Sequence, residues 1–143
     1  MIEQVPSTPT LKPLCSVALK LRTPIMIGEG PVGKRMVVDI ETMSLSGARL
    51  NAELAGRAAA DWLTIAQDVA TIDVRATLET HDGANIYLQY RGRTDVSAGL
   101  GSSPVIVAPI FETSDERYLW LNAVQAIGKG DIAALRYEWY EIQ

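Results

Sequence analysis

The chain has 143 residues, of which 48% are hydrophobic and 21% charged, and its formal net charge is −4. These values are typical of one globular domain and exclude a disordered chain. Its single Cys and single His exclude an intrachain disulfide and a zinc site with several Cys or His ligands, and its scattered Lys and Arg residues form no footprint for nucleic acid.

The first 13 residues are expected to form an extended arm, because Pro6, Pro9 and Pro13 oppose a regular helix. This segment also lacks the basic stretch and apolar run of a secretory signal. No apolar run in the chain approaches the roughly 20 residues that a membrane-spanning helix needs. We therefore expect a cytoplasmic protein without a membrane partner, consisting of one domain over residues 14–143.

Short segments of alternating apolar and polar residues recur along this domain, and a period of two is typical of strands with one buried face. They cover residues 15–22, 35–41, 72–79, 85–91, 105–112, 118–124 and 135–142. Asp82-Gly83, between two of them, is a strong hairpin signal. Because closing the sheet removes exposed edges, we predict an all-β fold: a single antiparallel barrel of about eight or more strands with few or no helices, with a β-sandwich as the competitor.

Residues 51–63 do not follow the alternating pattern. They include Arg57-Ala58-Ala59-Ala60, and alanine has the highest intrinsic helix propensity. Gly56 lies in the middle of the segment, where it costs about 1 kcal/mol relative to Ala in a helix. A short helix and a strand–turn–strand remain alternatives for this segment.

A glycine-rich segment matches two phosphate-binding motifs. Gly28 to Gly33 fit G-x-G-x-x-G, and with Lys34 they also fit the start of a P-loop. Both motifs bind phosphate only when a helix follows, but residues 34–40 alternate and are rich in β-branched side chains. We therefore predict a Gly/Pro turn between two strands, and neither a nucleotide nor a metal as cofactor.

Two carboxylates are the candidate catalytic groups. Asp61 stands beside Trp62, and an aromatic wall raises the pKa of a carboxyl by desolvation, which suits a general acid or base. The alternative is an exposed Asp in a turn. Glu112 follows Phe111 at the end of a predicted strand and is the second candidate.

The remaining candidates would bind a small molecule in the mouth of the barrel. They are Trp62, Arg75, Tyr90, Phe111, Trp120 and Asn122. Asn122 shares a face of the strand predicted over 118–124 with Trp120 and is either a ligand contact or a satisfied structural group. Arg75 would bind an anionic group if the polar face of its strand points inward, and otherwise lies on a solvated face. The lone His81 and Cys15 join no such group.

An ordered set of short motifs resembles the DUF3237 family, also called UPF0311. The matching residues are Asp61-Trp62, 72–75, 79–86, 90–92, 111–113, 118–122 and 128–130. The family commonly has a glycine-rich run before Asp-Trp, where this chain has Arg57-Ala58-Ala59-Ala60. The resemblance implies a compact antiparallel barrel similar to the lipocalin-like and allene-oxide-cyclase-like folds, in a family with no known general activity.

Three functions are compatible with these residues. In the first, the chain is a cofactor-independent isomerase, cyclase or lyase acting on a small aromatic or hydroxylated metabolite held between Trp62, Trp120 and Phe111. Asp61 or Glu112 would transfer a proton. Arg75 and Asn122 would stabilise the charge that develops on an oxygen.

The second function is non-catalytic binding of a small molecule in the same pocket. The third is a structural or oligomerising module whose barrel is filled by side chains, and a barrel without an internal cavity would favour it and exclude the first two. All three functions allow a homo-oligomer, which apolar strand faces would require if they pointed outward.

Overall fold

The computed structural model describes residues 7–143 of the chain. It contains strands β1 (Leu11–Leu21), β2 (Ile25–Gly30), β3 (Gly33–Ser46), β4 (Ala52–Leu54), β5 (Ala60–Ala66), β6 (Val69–Thr80), β7 (Asn85–Asp95), β8 (Val105–Val107), β9 (Ile110–Glu112), β10 (Ala126–Asp131) and β11 (Arg136–Ile142). A 3₁₀ helix (Glu116–Ala123) precedes β10. None of the helical structure in this part of the chain is long and apolar enough to cross a membrane.

Eight of these strands close into an antiparallel barrel, as the sequence predicts. Around the barrel the order is β1, β3, β5, β6, β7, β8, β10 and β11, and β11 pairs back with β1. The other three strands add to this frame: β2 forms a hairpin with β3, β4 lies between β3 and β6, and β9 adds to β7. Among the described residues, β2 pairs with β3 alone and β9 pairs with β7 alone.

The inner face of the barrel is apolar. On β6 the buried residues Ile72, Val74, Ala76 and Leu78 alternate with more exposed polar ones. Arg75 is one of the exposed residues, so the suggestion that the polar face of this strand points inward is wrong. Burial of apolar area stabilises the fold by about 25 cal/mol per Å², which explains why the period-two pattern places its apolar residues inside.

The two ends of the barrel differ. At the lower end, the 3₁₀ helix buries Tyr118 and Leu121 beside the β6–β7 hairpin. The upper end carries the β2–β3, β5–β6 and β10–β11 hairpins. Around it, several apolar side chains that pack against the core are only partly buried: Leu19, Leu21, Met36, Ile65 and Ile132. Partly buried apolar side chains thus surround the upper end of the barrel.

The strand predicted over residues 118–124 is wrong, because this segment lies in the 3₁₀ helix. The side chain of Asp115 accepts a hydrogen bond from the Arg117 N–H and so caps the first turn. Tyr118 and Leu121 are its buried residues, three positions apart as 3₁₀ geometry requires. The apolar residues of this segment fit a period of two and of three almost equally well.

Residues 51–63 form a strand, a turn and a second strand, not a helix. Gly56 lies in the turn with φ +66°, a backbone conformation that glycine adopts at low cost. The tertiary pairing of β4 with β3 and β6 thus outweighs the helix propensity of the alanines.

The two predicted turns are confirmed. Pro31 and Val32 form the turn between β2 and β3, and a strand follows where a phosphate-binding motif needs a helix. Gly83, with φ +90°, lies in the β6–β7 hairpin. At the other predicted boundary, β1 begins at Leu11, inside the segment 1–13 assigned to the arm, whose first six residues lie outside the described part of the chain.

Candidate functional site

Asp61 brings a carboxyl group to the apolar inner face. On β5 it stands opposite Val38 of β3 and Val74 of β6, and both valines are buried. Leu63, two residues further along β5, is buried in the core. Since side chains two apart on a strand share a face, Asp61 faces the interior, near the upper end.

The β5–β6 ladder is interrupted next to Asp61. Regular pairing stops at Asp61 and Val74 and resumes at Thr64 and Thr71. In the interval the Asp73 N–H donates to Oδ1 of Asp61 at 2.9 Å. A buried carboxylate without such a donor would be far more costly, so this hydrogen bond holds the side chain in place.

The protonation of Asp61 changes close to neutral pH. Burial raises the pKa of its carboxyl from 3.8 to about 6, the hydrogen bond from the Asp73 backbone opposes this rise, and the negative charge of Asp73 adds to it. A carboxyl with a pKa near the working pH gives and takes a proton with little difference in free energy. Asp61 thus has the property expected of a general acid or base.

Two tyrosines share the interior with Asp61. Tyr90 of β7 stands opposite Val74, and Tyr137 of β11 stands opposite Val17 and Gly130. Burial raises the pKa of Tyr90 well above 10, and the charges of Tyr137 and Asp61 add to the rise. Burial and then the charges of Asp61 and Asp131 raise the pKa of Tyr137 to about 12. Both hydroxyls therefore stay protonated at neutral pH and keep an O–H that can donate a hydrogen bond.

Two glycines make room for the interior aromatic rings. A Cβ on Gly128 would overlap the ring of Trp139, and one on Gly130 would overlap the ring of Tyr137. Trp139 packs edge-on against Tyr90 and Phe111, with ring centroids 5.3 and 6.2 Å apart. Its Nε1 is buried without a hydrogen-bond partner among the described residues.

Sequence reasoning missed Tyr137 and Trp139, which belong to this interior group. A signal for them exists: Gly128 and Gly130 alternate with Lys129 on β10, and Tyr137 and Trp139 alternate with Glu138 on the next strand. On two paired strands, two glycines and two large aromatic residues that recur at the same spacing of two indicate that the rings pack directly over the glycine backbone inside the barrel.

Two of the predicted aromatic walls lie outside the barrel. Trp62 is on the outer face of β5, with the Arg75 guanidinium carbon 4.8 Å from its ring centroid. Trp120 lies at the lower end, with the guanidinium carbon of Arg49 4.7 Å from its ring centroid. The structure therefore does not bring Trp62, Trp120 and Phe111 together around one ligand.

The polar candidates near the 3₁₀ helix are also outside. Glu112 is exposed on β9, on the outer surface and away from Asp61. The side chain of Asn122 exchanges two hydrogen bonds with the Thr113 backbone, at 2.8 and 2.9 Å. Both functional atoms of the amide are thus engaged, which fits the structural alternative for Asn122.

A family model described as a protein of unknown function, DUF3237, matches residues 9–142. The chain belongs to the DUF3237 family. No curated protein matches it.

Solved structures share the fold of this DUF3237 chain. A β-barrel-like protein from Acinetobacter baumannii is 28% identical, with a TM-score of 0.86 over 99% of this chain and 100% of that one. A protein of unknown function from Clostridium acetobutylicum is 20% identical, with a TM-score of 0.86 over 95% and 100%. An enzyme from Penicillium herquei is 22% identical, with a TM-score of 0.79 over 99% and 100%.

The large depressions of this DUF3237 chain lie on its outer surface. One of about 780 Å³ is lined by Glu53, Glu79 and His81, among others, and one of about 640 Å³ lies between Arg49 and Arg117 at the lower end. The centre of the barrel is packed with apolar side chains. This packing favours the filled-barrel hypothesis for the centre of the barrel.

No metal ligand set is found among residues 7–143, where no group of three or more His, Cys, Asp and Glu side chains is suitably placed. Cys15 is buried, and burial followed by the charge of Glu138 raises the pKa of its thiol to about 12. Because the thiolate is the reactive form, Cys15 acts as a small core residue rather than as a nucleophile.

Proposed function

We propose that this DUF3237 protein is a cofactor-independent acid–base enzyme, an isomerase or a lyase, acting on a small and largely apolar molecule at the upper end of its barrel. The observation that carries the proposal is Asp61, a carboxyl on an apolar inner face with a pKa of about 6. The partly buried side chains of Leu21, Met36 and Ile65 supply an apolar rim for such a substrate.

Asp61 would act by moving one proton. In its ionised form the carboxylate accepts a proton from a carbon next to an electron-withdrawing group of the substrate, and the protonated carboxyl then returns it to the same or another atom. The apolar surroundings strengthen this step, because electrostatic interactions there are screened less than in water. The enzyme from Penicillium herquei has the same fold, which supports the proposal that a barrel of this kind can carry a catalytic site.

Exchange of α-protons tests this role directly. The wild-type protein is expected to accelerate deuterium incorporation into 2-tetralone in D₂O, followed by proton NMR. The Asp61→Asn variant should lose on the order of 100-fold or more of this acceleration, the usual contribution of a general base. Because Asn keeps an oxygen that accepts the Asp73 N–H, the substitution removes the base without removing that hydrogen bond.

Two further measurements complete this experiment. Glu79→Gln, which changes an exposed carboxylate on the outer face of β6, should leave the exchange rate unchanged. For wild type, the rate should rise with pH through about 6 and then level off, because only the ionised carboxylate is a base. Full exchange by Asp61→Asn, or a rate that falls as pH rises, would contradict the proposal.

A second candidate function, an oligomerising module, is favoured by the edge of β2. Ile25, Met26 and Ile27 are 55, 54 and 65% exposed on a strand paired on one side only. Exposed apolar edge strands favour pairing with another strand. We propose a second copy of this chain as the partner, because antiparallel pairing of two β2 edges around a two-fold axis satisfies both edges equally.

Light scattering coupled to size-exclusion chromatography tests this pairing. We expect a dimer for the wild type and a monomer for Ile27→Lys, since a charge at the centre of the paired edge prevents association. Leu119→Lys is the control, because Leu119 is exposed at the lower end, 47%, far from β2. A monomeric wild type at micromolar concentration would exclude the module.

A further inference from the structure

We infer that the Tyr137 hydroxyl donates a hydrogen bond to the oxygen of the substrate, and that the substrate class is therefore an enolisable carbonyl compound. The inference rests on the proposed role of Asp61 and names the chemistry of the same site. Neither the resemblance in sequence nor the pattern of strands pointed to this residue.

The position of Tyr137 is fixed by its neighbour on β10. Its ring lies directly against the backbone of Gly130, where a Cβ would overlap three ring carbons. On its other side it stands opposite Val17, which is buried. A ring held between bare backbone and a core side chain presents its hydroxyl in a defined direction, as a preorganised donor must.

Tyr137 is also the most accessible aromatic residue of the interior. It is 9% exposed, against 4% for Tyr90 and 1% for Trp139. It is the second residue of β11, which begins at Arg136 at the upper end of the barrel. A molecule entering from above therefore meets Tyr137 before it meets Tyr90 or Trp139.

The hydroxyl is free to bind a ligand. Among the hydrogen bonds of residues 7–143, none involves the Tyr137 side chain, whereas the buried Tyr118 hydroxyl donates to Asp82 at 2.8 Å. Burial, followed by the charges of Asp61 and Asp131, raises its pKa to about 12 and keeps it protonated. Like Asp61, Tyr137 points into the barrel, since it stands opposite Val17 of β1, which is buried in the core. One carboxylate and one neutral phenol on the same apolar inner face of a barrel are complementary to a C–H acid next to a carbonyl.

The chemical step is a balanced proton transfer. The Asp61 carboxylate takes the α-proton, the C–H electron pair forms the carbon–carbon double bond, and the carbonyl electrons move to oxygen as an enolate. The Tyr137 O–H donates a hydrogen bond to this oxygen and keeps its own proton. Protonated Asp61 then returns a proton to carbon, and the carbonyl is restored without any co-reactant.

The test compares Tyr137→Phe with Tyr140→Phe, a change on the same strand at a more exposed position. With 2-tetralone in D₂O, Tyr137→Phe should lower kcat for exchange on the order of 100-fold, the effect of removing one oxyanion donor, and should raise KM about tenfold because the bound ketone loses the same hydrogen bond. The rise of the rate with pH near 6 should persist, since it reports Asp61. Tyr140→Phe should match wild type in kcat.

Binding provides an independent measurement that does not depend on turnover. The affinity of the protein for 2-tetralone relative to tetralin, which has the same rings without the oxygen, is measured by tryptophan fluorescence. This ratio should fall about tenfold in Tyr137→Phe, the loss of one hydrogen bond of about 1.4 kcal/mol, and stay constant in Tyr140→Phe.

The outcomes separate the two ideas. Exchange that depends on Asp61 but is unchanged in Tyr137→Phe would overturn the role of Tyr137 and leave the proposed function standing. Absence of Asp61-dependent exchange in wild type would overturn the proposed function, and the affinity ratio would then decide on Tyr137 alone. If Tyr137→Phe does not fold, the ratio of the wild-type affinities for 2-tetralone and tetralin tests the inference. Equal affinity for the two compounds would overturn it.

Discussion

Asp61→Asn is expected to stabilise the folded protein at pH 8 by about 3 kcal/mol. The folded chain raises the pKa of this carboxyl from 3.8 to about 6, and a rise of that size corresponds to about 3 kcal/mol once the group is ionised in both states. Between these two pKa values the folded state binds the proton more tightly, so wild-type stability falls as pH rises. Below 3.8 the carboxyl is protonated in both states and the penalty is absent.

Urea unfolding at pH 8 and at pH 4 measures this difference. The advantage of Asp61→Asn should be large at pH 8 and should nearly vanish at pH 4. Asp39→Asn is the matched control, since Asp39 is exposed on the neighbouring strand, and it should change stability by less than about 0.5 kcal/mol at either pH. Equal stability of Asp61→Asn and wild type at pH 8 would show that the carboxyl is not desolvated.

A variant that gains stability while losing proton exchange would explain why a carboxylate is kept in this position. Functional groups are often held where they weaken the fold, since the environment that tunes them also disfavours their charge. The Asp73 N–H that binds Asp61 Oδ1 at 2.9 Å reduces the penalty without removing it. The interrupted β5–β6 ladder is thus the local structural change that accommodates the carboxyl.

The sequence predicts the barrel well because its strands carry the alternation themselves. In β6 and β7, ten or more successive residues alternate, and the Asp82-Gly83 turn fixes their register. The rule that alternation predicts a strand gave the wrong element at residues 118–124, because the apolar residues of this short segment fit a period of two and a period of three. The 3₁₀ helix is stabilised there by the cap from Asp115 and by packing of its buried residues against the barrel.

The candidate site was predictable only in part. Asp61 and Tyr90 were selected from the sequence and both face the interior, but Trp62, next to Asp61, faces outward as alternation requires. Tyr137 is remote in sequence, 76 positions after Asp61, and reaches the site because β11 closes the barrel against β1. Closure and the stagger of the strands decide which distant residues meet, and neither is encoded in a local pattern.

Gly128→Ala is expected to destabilise the protein by up to about 3 kcal/mol, the range for overpacking a well-filled core. The new Cβ would overlap Cδ1 of Trp139 and lie 2.7 Å from its Nε1 and 2.9 Å from Cγ2 of Val107. Trp139 is 1% exposed and packs against Tyr90 and Phe111, so its ring has no space into which to move. Urea unfolding measures the loss.

Gly30→Ala separates this clash from the general effect of replacing glycine in a strand. The nearest atom to a Cβ at Gly30 is the Gly33 carbonyl oxygen at 3.9 Å, so that variant should remain within about 0.5 kcal/mol of wild type. If the two variants are equally stable, Trp139 does not lie over Gly128. Gly128→Ala combined with Trp139→Phe should recover part of the loss, because the smaller ring leaves room for the methyl group and the two changes are in contact.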